Sequence, residues 1–476
     1  ITCRDWSSDV CSSDLVLLLL RISTETSPQD LPKRLRSPYR WVTGLFAGIF
    51  LLITIWNGYL AFPNREALVA RAENPRWAVY DRYSARGEIF ALSGEKLVEV
   101  RGTPGSYQLW VNESQLSNTL GYAQPLYGQS GLQSSQYALL RGYAGVPFEQ
   151  RWQHELLFNQ PPPGLDIKLN INMTLQNKAD ELLGGHKGAV VLSNAQTGEI
   201  YAIASHPSFN ANTLDETWES LLQRTDAPLL NRATQGAYPL GTLASTVAYG
   251  SLKQSNHAFE LNTSQDFFKL DPFCYSAMQN AGATLNALQF GCQSVSERIL
   301  SATDPAILQA DLEAFGIFSA PDLAVETAQP AQILTTEQLD QDPLQVMDIN
   351  VSPIQMAMVA ATISNNGARP APALVNSYLT PEGSWQALGP AKTVAVVHTP
   401  SLAAEIQSEL RSSNQTIWYQ VGHALINGQE PLTWYIGGTT PDWSATPLAI
   451  AVAIEDDASK LALDIGNTLL NLSVSP

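Results

Sequence analysis

Two hydroxyl side chains, Thr242 and Ser245, follow the turn-forming sequence Tyr238-Pro239-Leu240-Gly241 and are the first candidates for chemistry in this chain. A hydroxyl can attack a carbonyl carbon, as in acyl transfer, when a neighbouring base removes its proton. Ser245 is not a base, so His423 would have to serve, with a pKa suited to proton transfer near neutrality. The alternative is structural: hydroxyls are common where helices start, and a single histidine on a strand usually packs.

Several other classes of function are not supported by the sequence. The formal net charge is −17 and no basic stripe is present, which argues against nucleic acid as a partner. Three further histidines lie on separate segments without a cysteine or carboxylate at ligand spacing, so we expect no zinc site. They are His154, His186 and His206. No glycine-rich phosphate loop is present, and we expect no cofactor.

The stretch from Asn231 to Ser245 resembles the approach to the active-site serine of the penicillin-binding proteins, which are peptidoglycan transpeptidases. In that family the nucleophile belongs to a Ser-x-x-Lys motif that follows a Tyr-Pro-x-Gly turn. Here Thr242 stands at the serine position and Ser245 at the lysine position. The resemblance implies that the serine would attack the D-Ala-D-Ala carbonyl while the lysine takes its proton. Loss of the lysine therefore matters more than loss of the serine.

The other two family motifs, Ser-x-Asn and Lys-Thr/Ser-Gly, are also substituted. The run Asn286–Ser294 is similar to the family's Ala-Leu-x-x-Ser-Cys-Asn, with Gly291 replacing the serine and Gln293 the asparagine. A leucine at the glycine position of the third motif would crowd a ligand, because glycine permits close backbone approach there. In the best match the three positions of that motif are His423, Ala424 and Leu425.

With all three motifs altered, we expect a pseudo-enzyme, because catalytic groups that act as a unit leave little activity when one is lost. The resemblance implies a non-catalytic partner in cell-wall assembly, acting on a polytopic glycan polymerase of the division or elongation machinery. A second hypothesis is an active D,D-transpeptidase that uses Thr242 or Ser245 with His423. A third is a module that binds wall peptide or β-lactam reversibly. A distant amine, Lys253 or Lys269, placed beside Thr242 would overturn the expected inactivity.

Periodicity along the chain predicts the elements that would position these residues. The apolar pattern and the end signals indicate helices and core strands in an order that resembles the α+β transpeptidase domain, a β-lactamase-like antiparallel sheet with flanking helices. The predictions are a helix over Met173–Leu183, a hairpin over Gly188–Ser205, a capped helix from Ser352 to Gly367, adjacent strands at Trp434–Gly438 and Leu448–Glu455, and a helix from Ser459 to about Leu472.

A single membrane anchor is predicted at residues 41–62, where Trp41–Phe62 carries no charge and can span a bilayer. Basic residues precede it, and the positive-inside rule then places the N-terminus in the cytoplasm and the bulk of the chain outside a bacterial cytoplasmic membrane. The basic residues are Lys33, Arg34, Arg36 and Arg40.

The rest of the chain divides at composition changes. Arg86-Gly87-Glu88-Ile89 resembles the entry to the dimerisation-like pedestal of class B penicillin-binding proteins, in particular their PbpA-like subgroup. A proline-rich connector then suggests a boundary after residue 165. Residues 1–22 resemble a translated sequencing adapter and are left out of fold reasoning. The predicted segments are 1–22 (adapter), 23–40 (cytoplasmic), 41–62 (anchor), 63–165 (pedestal) and 166–476 (transpeptidase-like).

Two cysteines, Cys274 and Cys292, fall in the segment predicted to lie outside the membrane. An oxidising compartment would permit a disulfide between them. Two buried thiols are the alternative, and spacing does not decide between them.

Overall fold

The computed structural model describes residues 33–61, 81–158, 162–255, 287–389, 393–412 and 416–472. The chain falls into two compact units, Ile1–Arg71 and Ala72–Pro476. The predicted adapter segment 1–22, Lys269 and Cys274 lie outside the described residues.

The described part of the first unit is one helix, α1, which spans Lys33–Ala61. Its stretch Trp41–Tyr59 is long and apolar enough to cross a membrane, with a mean hydropathy of 1.6. Its polar side chains bond back to the helix: Thr54 donates to the Phe50 carbonyl and Asn57 to the Ile53 carbonyl, both at 2.8 Å. Such bonds satisfy polar groups where no water is present. The predicted helix is confirmed, and it begins earlier, at Lys33.

The second unit combines several sheets with helices. Its strands are β1 Ile89–Phe90, β2 Lys96–Arg101, β3 Gln108–Val111, β4 Ala123–Gln124, β5 Gly128–Gln129, β6 Ile167–Leu169, β7 Gly188–Asn194, β8 Ile200–His206, β9 Tyr238–Pro239, β10 Asn350–Val351, β11 Ala368–Pro370, β12 Val375–Leu379, β13 Trp385–Ala387, β14 Thr393–Val396, β15 Ile417–Ile426, β16 Glu430–Thr439 and β17 Leu448–Ile454. Its described α-helices are α2 Ser117–Leu120, α3 Gly131–Ser135, α4 Tyr137–Leu140, α5 Phe148–Phe158, α6 Met173–Leu183, α7 Leu214–Gln223, α8 Ala244–Gln254, α9 Gln293–Ala302, α10 Pro305–Phe315, α11 Thr336–Gln341, α12 Pro353–Ser364, α13 Pro400–Glu409 and α14 Ser459–Asn471.

A five-stranded antiparallel sheet forms the centre of this unit, in the order β15-β16-β17-β7-β8. The strands β7 and β17 are buried along their whole length. Helices α6 and α14 cover one face through side chains such as Leu175 and Leu469. On the other face α12 packs through Met356 and Ala360. Burial on both faces explains why these strands are continuous apolar runs and not alternating ones. The hairpin, the adjacent strands and the helices at 173–183 and 459–471 are confirmed.

The start of α12 follows from its sequence. Ser352 and Gln355 form a capping box, and Pro353 occupies the first turn, where a missing N–H costs no hydrogen bond. The helix ends at Ser364, and Gly367 follows with a φ of +83°. The predicted helix start is confirmed.

A six-stranded sheet, in the order β13-β12-β6-β1-β2-β3, crosses the boundary predicted after residue 165. Ile89 of β1 lies parallel to Ile167 of β6, and Tyr378 of β12 pairs with Ile167 from the other side. Strands from both sides of that boundary therefore share one sheet. Periodicity cannot show that the chain returns to this sheet at β12, far along the sequence from β6.

Candidate functional site

The helix α8 begins against the edge strand β15, and Gly241 makes this approach possible. Residues Gly241–Leu243 form one 3₁₀ turn before α8. Gly241 has a φ of +53°, and a Cβ there would lie 2.1 Å from the His423 carbonyl oxygen. Only glycine fits such a position. The turn therefore holds Thr242 at the outer edge of the sheet.

Thr242 is buried, with 3% of its surface exposed. Its Oγ1 accepts a hydrogen bond of 2.9 Å from the main-chain amide of His423. Its carbonyl accepts from Ser245 Oγ at 2.6 Å and from Ser296 Oγ at 3.3 Å. The hydroxyl that occupies the nucleophile position is thus bound to a main-chain donor of the strand.

Ser245 is fully buried and contacts Gln420, a residue that the sequence analysis did not single out. The Gln420 Nε2 donates to Ser245 Oγ and to the Leu288 carbonyl, both at 2.9 Å. Thr246 Oγ1 donates to Gln420 Oε1. Both ends of this amide are therefore bonded inside the protein. A glutamine within the apolar strand sequence Ile417–Val421 was the available signal, because a buried amide needs partners.

Gly291 lies directly against Thr242 and β15. Its φ is +60°, and a Cβ there would lie 2.3 Å from the Val421 carbonyl oxygen and 2.7 Å from Thr242 Oγ1. No side chain fits at this position without movement of the strand. Gln293, by contrast, is exposed and donates to Glu297 at 2.9 Å. The structure brings Gly291 to the centre and leaves Gln293 at the surface.

The outward amides of β15 are bonded within the chain. Those of Tyr419, Val421 and His423 point away from β16, because the intervening residues pair with that strand. They donate to the Leu410 carbonyl at 3.1 Å, the Gln289 carbonyl at 2.9 Å and Thr242 Oγ1 at 2.9 Å. An extended substrate along this edge would have to displace those partners.

The pairing of a hydroxyl with the His423 imidazole stays a prediction, because the described hydrogen bond between Thr242 and His423 involves the main-chain amide of the histidine. Side chains alternate along a strand, and Gln420, Gly422 and Ala424 face the turn before α8: Gln420 contacts Ser245, and a Cβ at Gly422 would meet Leu243. The His423 side chain therefore lies on the opposite face, and its contact with Thr242 is through the main chain.

The crowding of a ligand expected from Leu425 also stays a prediction. Leu425 is 44% exposed near the end of β15. The close contacts come instead from the turns at Gly241 and Gly291, and Ala424 Cβ lies 2.6 Å from where a Cβ of Gly241 would stand. Two glycine turns, not one bulky side chain, fill the region.

Lys253 does not supply the missing base. Its ammonium pairs with Glu405 at 2.7 Å and lies 5.2 Å from the centre of the Tyr249 ring. The hydrogen bond to Glu405 raises the pKa of Lys253, which keeps the ammonium charged. Lys253 is also eleven residues beyond Thr242, about 16 Å along a helix. Its nitrogen is therefore committed at the far end of α8.

The described residues contain no cluster of histidine, cysteine and carboxylate groups that could hold a metal ion. His206 bonds instead to Asp180 at 2.9 Å and to the Gly184 carbonyl at 2.6 Å. Cys292 is buried at the start of α9 and is disulfide-bonded. A free thiol at Cys292 is therefore excluded, while its candidate partner Cys274 lies outside the described residues.

Comparison with known proteins places this geometry in context. The family described as the penicillin binding protein transpeptidase domain matches residues 188–417. The chain is 25% identical over 444 residues to the peptidoglycan D,D-transpeptidase PbpA of Mycolicibacterium smegmatis, covering 83% of this chain and 89% of that protein. It is 32% identical over 185 residues to the peptidoglycan D,D-transpeptidase MrdA of Acinetobacter baumannii, covering 36% of this chain and 26% of that protein.

The fold is similar to that of penicillin-binding protein A from M. tuberculosis, solved as an imipenem acyl-enzyme complex. The TM-score is 0.69 at 21% identity, over 82% of this chain and 98% of that chain. The predicted α+β transpeptidase fold is thereby confirmed.

Proposed function

Because this chain is a member of the penicillin-binding protein family and a homologue of the class B proteins PbpA and MrdA, we propose that it is a non-catalytic member. In this proposal it acts in cell-wall peptidoglycan assembly as a membrane-anchored scaffold or regulator. The observation that carries the proposal is the bonding of Thr242 and Ser245, the two hydroxyls at the positions of the nucleophile and its base. Each is buried and bonded inside the protein.

Acylation needs a base beside the hydroxyl, and the described hydrogen bonds of Thr242 Oγ1 and Ser245 Oγ go to main-chain groups and to the neutral amide of Gln420. Ser245 donates to the Thr242 carbonyl and accepts from Gln420, so it is itself a bonded alcohol. Removal of a general base typically costs about 10²–10⁴-fold in rate. The Lys253 ammonium is held by Glu405. These contacts support inactivity toward the D-Ala-D-Ala peptides on which active members of the family work.

We also propose a different match for the third family motif, at Gln420-Val421-Gly422 in place of residues 423–425. In this match Gln420 replaces the lysine, and it is Gln420 that contacts Ser245 at the base position of the first motif. Gly422 keeps the glycine, and a Cβ there would lie 2.6 Å from Leu243. A neutral amide at the lysine position lacks the charge that would grip a terminal carboxylate, which further favours inactivity.

The bonded edge of β15 argues against the two alternative functions. An active transpeptidase using His423 would need the imidazole beside Thr242, but the alternation of side chains directs it to the other face. A module that binds wall peptide reversibly in the old cleft would need free donors on β15. The amides of Tyr419, Val421 and His423 are taken by the chain itself. The scaffold proposal requires neither.

The proposed location is a bacterial cytoplasmic membrane, crossed once by Trp41–Tyr59. The basic residues before this span favour a cytoplasmic N-terminus and an extracytoplasmic second unit. The proposed partner is a polytopic glycan polymerase of the division or elongation machinery, contacted through the anchor helix and the pedestal. This assignment follows from family analogy.

A gel assay with labelled penicillin tests the proposed inactivity on the full chain in detergent micelles. An acyl-enzyme survives denaturation, so an active site would leave a labelled band, as we expect for the PbpA relative run beside it. We expect no band from this chain. A band that persists in Thr246→Val but disappears in Thr242→Val or in Ser245→Ala would refute the proposal, because only the last two variants remove a candidate nucleophile.

The scaffold role is tested by co-purification from membranes. We expect a polytopic membrane protein to accompany the full chain and to be lost when residues 41–62 are replaced by an unrelated membrane span of equal length. Unchanged recovery with the replaced span would contradict a role for the anchor helix.

A further inference from the structure

A cavity of about 820 Å³ opens beside strand β3 and the β4–β5 hairpin, away from the turn that carries Thr242. We call it the pedestal groove. Asp81, Arg86 and Gln133 lie at its polar end, while Leu109, Trp110, Leu126 and Tyr127 belong to its walls. Its volume is in the range of sites that bury a small molecule or a short peptide.

At the polar end of the groove two buried guanidinium groups bond to the same carboxylate. Arg86 and Arg141 are 5% and 4% exposed, and both pair with the single carboxylate of Asp81. Arg141 takes both oxygens of that carboxylate, at 2.9 and 2.6 Å, whereas Arg86 reaches it only at 3.3 Å. Burial and the neighbouring Arg141 lower the pKa of Arg86 to about 10, which still leaves it charged at neutral pH.

Arg86 also keeps one donor unused. Its Nη2 donates to the Gln133 carbonyl at 3.0 Å, but its Nε is buried without an acceptor. A buried charged group with an unmet donor carries a larger penalty than a neutral one. An anion in the groove could accept a hydrogen bond from the Arg86 Nε and remove this penalty.

Gln133 is the second unsatisfied group at this end. Its side chain is 1% exposed, and neither its amide nitrogen nor its amide oxygen has a partner. Each such group costs about 1–3 kcal/mol relative to an apolar side chain of the same shape. Two unsatisfied side chains at one end of a cavity indicate that a ligand completes their bonds.

The wall of the groove offers main-chain hydrogen bonds. Asn112 N donates to the Leu97 carbonyl, so the main-chain groups of Leu109 and Val111 point away from β2. At Val111 both groups are bonded by the Asn212 side chain, at 2.8 and 2.7 Å. At Leu109 the described residues supply no such partner. The edge of β3 thus presents one open amide and one open carbonyl beside the groove.

The remaining wall is apolar and partly exposed. Leu126 is 82% exposed and Trp110 is 40% exposed. Tyr127 stacks on Trp218 with ring centres 4.5 Å apart, which fixes its orientation. Rigid aromatic surface next to an open strand edge suits an extended peptide better than a free anion, which would leave these walls uncovered.

We propose that the pedestal groove binds an extended segment of a partner protein, with an acidic side chain of that segment bonded to Arg86 and Gln133. The carboxylate accepts from Arg86 Nε and Gln133 Nε2, while a peptide N–H of the segment donates to Gln133 Oε1. The main chain of the segment pairs with Leu109, and its apolar side chains cover Trp110 and Leu126. This inference rests on the proposed scaffold function only in assuming a protein partner.

Peptide binding to the full chain in detergent micelles tests the proposal. The probes are two pools of fluorescein-labelled ten-residue peptides with apolar residues around a central glutamate or, in the second pool, a central glutamine. We expect the wild type to bind the glutamate pool at least tenfold more tightly, because a charge-assisted hydrogen bond is about twice as strong as a neutral one. Binding is measured by fluorescence anisotropy.

Variants separate the groove from the rest of the surface. Gln133→Leu should weaken the binding of both pools, because it removes one donor and one acceptor of the proposed site, and it should raise the melting temperature of the free protein, because it removes unsatisfied groups. Leu109→Pro should weaken both pools, since it removes the outward amide from an edge strand that tolerates proline. Gln150→Leu, the same chemical change on the exposed face of α5, should alter neither result.

Equal binding of the two pools, or affinities that Gln133→Leu leaves unchanged, would overturn the proposal. Tighter binding of an isolated muropeptide than of any peptide in the pools would also overturn it, because the occupant would then be wall material. The penicillin assay is independent. If the chain is labelled by penicillin and still binds the glutamate pool, the proposed inactivity is refuted but the proposed peptide binding is not.

Discussion

The turn that carries Thr242 and the pedestal groove differ in the hydrogen bonding of their buried polar groups. At the first, the closed centre formed by Thr242, Ser245, Gln420 and Gly291, the side chain of Gln420 is bonded at both ends within the protein. At the second, the amide of Gln133 is buried with no partner at either end. Both regions belong to the second unit.

This difference in hydrogen bonding can distinguish a site that has lost its ligand from one that still binds a ligand. When a site no longer binds a ligand, hydrogen bonds among its own polar groups stabilise the folded protein. The polar groups of the closed centre are bonded to one another in this way. A site that still meets a ligand keeps groups that are satisfied only in the complex. By this criterion the closed centre agrees with the proposed inactivity, and the unsatisfied groups of the pedestal groove agree with the proposed binding of a partner segment.

The largest effect is expected from restoring the family's serine in the closed centre. Gly291→Ser places a Cβ 2.3 Å from the Val421 carbonyl oxygen at a φ of +60°. Overpacking and the left-handed backbone together should lower the free energy of unfolding by about 4 kcal/mol. Urea denaturation of the full chain in micelles measures this change.

Gly428→Ser is the matched control for that substitution. Gly428 has a φ of +70° in the turn between β15 and β16, but nothing lies within 4 Å of its Cβ position. It should therefore show the backbone cost alone, about 1 kcal/mol. Equal losses in the two variants would mean that the centre is not closed as described.

The next effect tests the carboxylate that two buried guanidinium groups share beside the groove. Asp81→Asn removes the one carboxylate that Arg86 and Arg141 share. Because both guanidinium groups stay buried after losing this shared carboxylate, we expect the free energy of unfolding to fall by about 3 kcal/mol. Asp442→Asn breaks the more exposed pair with Arg411 and should cost less than about 1 kcal/mol. Similar decreases in the free energy of unfolding of the two variants would show that the buried charges beside the groove depend on their carboxylate no more than an exposed ion pair does.

A pair of glutamine substitutions should give opposite signs in the two regions. Gln420→Leu removes three hydrogen bonds, those to Ser245, Thr246 and the Leu288 carbonyl, so stability should fall by about 2 kcal/mol. Gln133→Leu removes an amide that has no partner, and stability should stay equal or rise. Melting temperatures of the two variants in parallel decide the point, and a loss at Gln133 as large as that at Gln420 would contradict the comparison.

The sequence predicted the fold well because its strongest signals are local. Helix α6 begins and ends where its caps indicate, with Asn172 before it and Gly184 after it. The hairpin at 188–205 follows from two apolar runs around a short turn. The substitutions at Thr242, Ser245 and Gly291 were also visible, because a motif with fixed spacing can be checked residue by residue.

The parts that were missed depend on distant pairing. Which residue of β15 faces Ser245 is set by the phase of that strand against the turn at Gly241, and a phase error of one residue exchanges the two faces. The sequence therefore predicted His423 at the lysine position of the third motif, whereas the match proposed from the contacts of Ser245 has Gln420 there. The groove could not be predicted either, since Arg86 and Gln133 meet only through folding of segments 47 residues apart.

The smallest expected effect concerns His206, an ordinary satisfied ion pair against which the unsatisfied Arg86 can be judged. Burial alone would lower its pKa, but hydrogen bonds to Asp180 and the Gly184 carbonyl, with the charge of Asp180, outweigh burial and raise it. The folded state then binds the proton more tightly, so this contribution is complete below the ordinary histidine pKa of about 6.5 and is lost as pH rises through the folded value. We expect stability to fall by about 1 kcal/mol or less across that window. In His206→Gln the fall should disappear from melting curves recorded between about pH 6 and 8. A fall that persists in the variant would have to come from another titrating group.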